Sequence, residues 1–383
     1  MSEKTRRLLD FATLAALTAF AASLVLAAFA LRWENDFHHL WAAARTLHLG
    51  GDPYRALLPI PNQTLVNTQS VAPPWVTVAL LPLAALPFES ALWIWTLLNA
   101  MLLLLSLWLL FQLNRCLPIW GRALLGIGFV WLAVYPFQVA HLDLWLSTAL
   151  LAALWFWQRQ QFALSGISVL ALLFKPWVTL GALLGLFVLA LARRRWSFII
   201  AFFGGFALML ALTFAGWHGW LYSIFNVNVR QIYGDERFYW AVATWYDLLR
   251  ITLGVSLTPL MWIVGYIIIG LLCFALLWLA WRRWRVDAIG DATWVAVCLL
   301  VFLLLVPYVR LYDLVLLQIW LAAFLGSDEF LAQTPRLRWG FALSVGLVCL
   351  LNLAHPLEST YYLLPLGFAI LTLLFLRLLP TAS

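Results

Sequence analysis

Residues 71–88 read VAPPWVTVALLPLAALPF, and whether they cross a bilayer fixes the sidedness of every later segment. The stretch is apolar enough to cross. Pro73-Pro74, Pro82 and Pro87 nevertheless make a continuous helix unfavourable, because each proline removes a backbone donor and clashes with the preceding turn. If the stretch crossed, all later basic loops would face outward, against the bias that keeps Lys and Arg in cytoplasmic loops. It therefore reads as a re-entrant or interfacial segment buried against a helical bundle, where irregular backbone is tolerated at membrane depth.

The rest of the chain supports a bundle. Of 383 residues, 65% are hydrophobic and 10% charged, whereas a soluble domain carries about 25% charged residues. Too few polar groups exist to cover a water-facing surface, so soluble, disordered and collagen-like classes are excluded. The 24 Trp and 26 Phe suit lipid contact. At about 20 apolar residues per span, the chain predicts an all-α polytopic membrane protein with about twelve transmembrane helices.

The first run, Phe11 to Leu31, follows Lys4, Arg6 and Arg7. It exceeds the 7–15 residues of a signal-peptide core, so an uncleaved first span with a cytoplasmic N-terminus is expected. Later spans are expected at 89–111, 121–137, 143–157, 162–174, 177–192, 196–215, 254–280, 291–306, 314–325, 337–354 and 360–379. Both termini then lie in the cytoplasm, and residues 1–383 form a single integral membrane domain. Its two long outer loops cover 32–88, with interfacial and re-entrant helices, and 216–250.

In this layout Arg32, Arg45, Arg55, Lys175, Arg230, Arg237, Arg250 and Arg310 face outward, and the remaining cations face inward. All six histidines also map outside. A positive-inside bias alone would leave the outer face poor in cations, so binding or chemistry is expected there. The net charge of +7 comes from the cytoplasmic loops and implies anionic lipid headgroups, with no nucleic-acid motif present. Cys116, Cys273, Cys298 and Cys349 include no pair at metal-site spacing, which points to unreactive thiols.

After the first span the chain runs Arg32-Trp33-Glu34-Asn35-Asp36. Phe37, Leu40, Trp41, Ala44 and Leu47 then recur at helical spacing, predicting an amphipathic helix in the interface. Gly50-Gly51 ends it, and Asp52-Pro53 suits an N-cap followed by the first helical position.

An acid just past the first span, a helix ending in Gly50-Gly51-Asp52-Pro53-Tyr54, and Pro73-Pro74 before an apolar run together resemble glycosyltransferase family 87. Tyr135-Pro136, Lys175-Pro176, Pro307-Tyr308 and Tyr312-Asp313 extend the resemblance along nearly the whole chain. His141 and Asp143 depart from it, standing where Gln and Asn are common, and Tyr312 stands where many relatives carry His. The resemblance implies a GT-C fold of the polyprenol-phosphate-mannose-dependent mannosyltransferase type. It implies a polyprenyl-phosphate-sugar donor, a lipid or glycan hydroxyl as acceptor, and inversion at the anomeric carbon on the outer face of the plasma (inner) membrane.

A sugar hydroxyl is a poor nucleophile, so a carboxylate must accept its proton as attack proceeds. Asp36 is the candidate base, with Glu34 two residues away. An oxygen-rich acid pair suits Mg²⁺ or Mn²⁺, but the resemblance implies metal independence, and no metal or other cofactor is expected. Lys175 and Arg310 end two spans and are candidates for the donor phosphate, although cations there also snorkel to water. His38, His141, Asp143, Arg230, Arg237, Tyr312 and Asp313 complete the candidate substrate contacts; for His141 and Asp143 a mutual hydrogen bond is the plain structural alternative. Two other functions compete. A polyprenyl-linked glycan ligase or polymerase would place its large catalytic loop late in the chain. A lipid or solute transporter predicts internal repeats and midplane charges, and neither is found in the sequence.

Overall fold

The computed structural model describes residues 36–54, 72–138, 140–221, 259–306, 311–331 and 363–379. Regular structure among them is helical throughout. Three helices there are long and apolar enough to cross a membrane, Phe88–Leu113, Trp196–Gly216 and Ile263–Arg285, and shorter apolar helices accompany them. The expected spans at 11–31 and 337–354, and residues 222–250 of the second outer loop, lie outside the described residues.

The chain divides into two compact units interleaved in sequence. The first begins with α1 (Asp36–His48), followed by α2 (Pro74–Ala79), α3 (Leu81–Ala84) and most of α4 (Phe88–Leu113). The 71–88 stretch is thus two helices of six and four residues. At about 1.5 Å per residue neither spans a hydrocarbon core of about 30 Å. Pro82 sits near the start of α3, where its missing donor costs nothing. The unit continues through the end of α5 (Ile119–Gln138), α6 (Asp143–Gln158) and α7 (Phe162–Ser168). A 3₁₀ turn (Val169–Phe174) and α9 (Trp196–Gly216) complete it.

The amphipathic stripe of α1 packs on protein. Phe37, Trp41 and Ala42 to Ala44 are buried with Val76, Leu80, Ala84, Leu92 and Trp95 in one apolar cluster. The Trp41 indole donates to the Leu83 carbonyl (3.3 Å) and the Arg45 guanidinium to that of Ala84 (2.9 Å), tying α1 to α3. Gly50, at φ +83°, ends α1 in a Schellman motif: its N–H donates to Leu47 O, and that of Gly51 to Thr46 O.

In the second unit, α8 (Pro176–Ala192) lies against α11 (Asp291–Leu305), which also meets α10 (Pro259–Arg285), α12 (Leu317–Leu325) and α14 (Leu363–Leu378). Lipid supplies no hydrophobic drive between helices, so close approach depends on small residues. A Cβ on Gly181 would lie 2.3 Å from the Cys298 carbonyl oxygen, and the Trp294 indole donates to Gly185 O at 3.1 Å. The short α13 (Asp328–Leu331) completes the described elements.

Candidate functional site

Asp36 opens α1, where a carboxylate suits the positive end of the helix dipole. The apolar cluster beneath Phe37 and Trp41 fixes that end of the helix. The Asp36 side chain remains about a third exposed, at 32%.

Three more side chains meet beside it. The terminal turn of α5 is a second Schellman motif, with Ala140 N–H donating to Phe137 O and His141 N–H to Pro136 O. The left-handed position belongs to Ala140, at φ +53°, where glycine would be unstrained. The Ala140 carbonyl accepts a hydrogen bond from the Trp95 indole of α4 at 2.8 Å. This turn delivers His141, with its Nε2 3.9 Å from Asp36 Oδ2. Its Nδ1 lies 2.5 Å from Oδ2 of Asp143, in the first turn of α6. A second tether seats α6: the Ser106 and Thr148 hydroxyls share a hydrogen bond of 2.7 Å between α4 and α6.

Asp143 is wholly buried and uses both oxygens. Its Oδ1 faces the Lys175 ammonium at 3.7 Å, and Lys175 is itself 3% exposed. Proline at 176 keeps Lys175 out of the helical region, at φ −144° and ψ 67°, so the 3₁₀ turn ends there. The Trp75 indole of α2 donates to Leu173 O at 2.9 Å and steadies the approach to Lys175. Asp36, His141, Asp143 and Lys175 thus form a row from a carboxylate one-third exposed to a buried ammonium.

Chemically, the row has a defined sense. A carboxylate at Nδ1 holds the imidazole hydrogen there, leaving Nε2 turned toward Asp36. The Lys175 ammonium is no snorkelling cation, since it is buried against a carboxylate. Removing it would take one counter-charge from the buried Asp143, which costs stability.

His38, two residues along α1 from Asp36, stacks on Phe88 with centroids 4.1 Å apart. Asp313 is fully buried in the 3₁₀ turn Leu311–Leu316 of the second unit, which also contains Tyr312. Glu34, Arg230, Arg237 and Arg310 lie outside the described residues. Asp52 Oδ1 accepts from Tyr54 N–H (2.9 Å), a contact an N-cap residue makes. Burial, and secondarily Asp52, push the Tyr54 hydroxyl pKa upward, so it stays a donor and bonds to Ala72 O.

Trp75 and Trp95 were not apparent as supports of the site. Each is one Trp among many in apolar sequence, and a backbone carbonyl as partner leaves no sequence signature. Among the described residues, no group of three or more His, Cys, Asp or Glu is arranged to hold a metal ion.

The family model described as "Glycosyltransferase family 87" matches residues 71–307, more than half of the chain. A search of curated proteins finds no match. Among solved structures, the chain is similar to ArnT from Cupriavidus metallidurans, whose crystal structure was determined bound to undecaprenyl phosphate. The TM-score is 0.43 at 16% identity, covering 94% of this chain and 76% of that one.

Proposed function

This chain belongs to glycosyltransferase family 87, and we propose that it moves a sugar from a polyprenyl-phosphate donor to a hydroxyl of a lipid or glycan. The reaction takes place at the outer face of the plasma (inner) membrane, with both termini in the cytoplasm and no cofactor. The sugar is mannose or another hexose, and the anomeric carbon inverts. Asp36 is the general base. The observation that carries this reading is the position of Asp36: on a rigidly seated helix, open to solvent on one side and to His141 on the other.

The acceptor hydroxyl loses its proton to Asp36 as its oxygen attacks the anomeric carbon from the face opposite the phosphate. A positioned base of this kind contributes about 10²–10⁴-fold. The departing phosphate needs fixed positive charge, because negative charge develops on it as the bond breaks. Lys175 and Arg310 are assigned to it, with Glu34, His38, Arg230, Arg237, Tyr312 and Asp313 as further substrate contacts. His141 and Asp143 lie within the row that Asp36 opens.

The test is turnover of Asp36→Asn, which keeps side-chain size and removes basicity. Consumption of undecaprenyl-phosphate mannose, without ATP or an ion gradient, should fall by about two to four orders of magnitude. Binding of the donor should persist. Turnover within threefold of the parent would remove Asp36 as the base.

A further inference from the structure

A carboxylate alone is a weak base for a sugar hydroxyl. Reference pKa values near 3.9 for Asp and 6.5 for His mean that passing the proton to an imidazole makes abstraction less uphill by roughly two to three powers of ten. The geometry points to His141 as the second station for the acceptor's proton, received through Asp36 and held by Asp143. The inference rests on Asp36 being the base.

The contacts dictate the direction of travel. His141 Nδ1 is 2.5 Å from Asp143 Oδ2, so that nitrogen carries the hydrogen of the neutral ring. The other nitrogen, Nε2, is left with a lone pair facing Asp36 Oδ2 at 3.9 Å. This separation is longer than a hydrogen bond, and catalytic contacts of this type tighten when substrate closes the site. Among the described residues, His141 faces Asp36 of α1 and Asp143 of α6. Lys175 lies on the far oxygen of Asp143 and partly offsets that carboxylate. The two carboxylates beside the ring stabilise the positive charge it gains when the proton arrives.

The step balances. The acceptor O–H bond breaks while its oxygen bonds to the anomeric carbon. The bond from that carbon to the phosphate oxygen breaks, and its electron pair leaves on the phosphate. The proton accepted by Asp36 passes to Nε2, and the imidazolium later releases it to water as the product departs. Asp143 neither gains nor loses a proton; it fixes the ring and stabilises the cation.

Two measurements on the full-length protein in lipid nanodiscs test this. The first is an NMR titration with ¹³C-labelled histidine, in which the signal missing from His141→Gln identifies the ring. The His141 midpoint should fall by about one pH unit in Asp36→Asn, as expected when a facing carboxylate is neutralised. An unmoved midpoint would show the two groups uncoupled and would overturn the relay.

The second is the pH profile of undecaprenyl-phosphate mannose consumption, with extracted membrane lipids as acceptor. In the parent, activity should be lost as pH falls through the imidazole range, because His141 must begin neutral. In His141→Gln, turnover should drop about ten- to hundredfold with donor KM unchanged. Its acid limb should move down into the carboxylate range, and added imidazole should restore His141→Ala. A limb that stays in place, together with no rescue, would reduce His141 to packing and sink the relay. Full activity of Asp36→Asn would instead defeat the base assignment, a separate outcome. Absence of donor consumption by the parent would count against the donor assignment and leave the NMR coupling to decide the relay.

Discussion

In the first unit, Lys175 and Asp143 are 3% and 0% exposed and their charged atoms lie 3.7 Å apart. In the second, Arg193 and Asp287 are 41% and 74% exposed and make a shorter contact of 2.8 Å. Asp291, 3.5 Å from Arg193, also accepts from the Trp284 indole. Contact length ranks the exposed pair first. Burial reverses the order, because exposed charges keep most of their hydration whether or not they meet. A buried pair has lost that hydration, so each partner is costly without the other. Well-packed apolar residues often replace such a pair at no loss of stability, and a chain that is 65% hydrophobic has ample means to do so. Stability alone therefore gives no reason to prefer the buried pair over apolar packing.

Breaking the buried pair should produce the largest effect on stability. Lys175→Met leaves Asp143 with one counter-charge fewer and should cost about 3–5 kcal/mol. Thermal unfolding in detergent would measure it. The double variant Lys175→Met with Asp143→Leu removes both charges and should recover most of that loss while remaining inactive. Recovery of stability without activity would separate the two purposes. If the double variant were as unstable as the single one, the pair would be a structural element after all.

A medium effect should come from the scaffold around the row. Trp95→Phe keeps the ring that stacks between Phe37 and Trp145, and removes only the N–H that Ala140 O accepts. A buried carbonyl left without its donor costs about 1–3 kcal/mol. The same change loosens the turn that presents His141, so turnover should fall further than stability alone explains. Ala140→Gly in the parent relieves a left-handed backbone position. Stability equal to the parent in Trp95→Phe would show that the indole bond does not hold the turn.

Much of the fold was legible before the structure, and the reasons are local. Prolines break 71–88 wherever it lies, and helical periodicity marks Phe37, Trp41 and Ala44 as a buried stripe. Gly50 is readable as a stop because only a residue tolerant of positive φ completes that motif. Asp36 could be singled out by its place after an apolar run. The partnership of Asp36 with His141, or of Asp143 with Lys175, had no such signal. Those contacts depend on where different helices end, and on a left-handed alanine where a glycine would have been conspicuous. Lys175 read equally well as a snorkelling cation, because its burial is decided by a carboxylate on another helix.

The smallest effect should belong to the exposed pair, and it sharpens the comparison from the other side. Arg193 lies over the Trp284 ring at 5.5 Å while bonding Asp287, so the guanidinium is well placed by every geometric measure. Its bond to Asp287 is the main cause of an upward shift in its pKa, opposed by some desolvation. Water nevertheless reaches both partners, and exposed pairs of this type contribute about 0.2–1 kcal/mol. Arg193→Ala should therefore lower unfolding stability by less than about 1 kcal/mol and leave turnover unchanged. The difference from the parent should shrink further between 50 mM and 500 mM salt, conditions under which the Debye length falls from about 14 Å to 4 Å. Lys175→Met should show much less salt dependence, since a pair this buried is screened far less than an exposed one. Should Arg193→Ala prove as damaging as Lys175→Met, burial would not be what ranks these pairs.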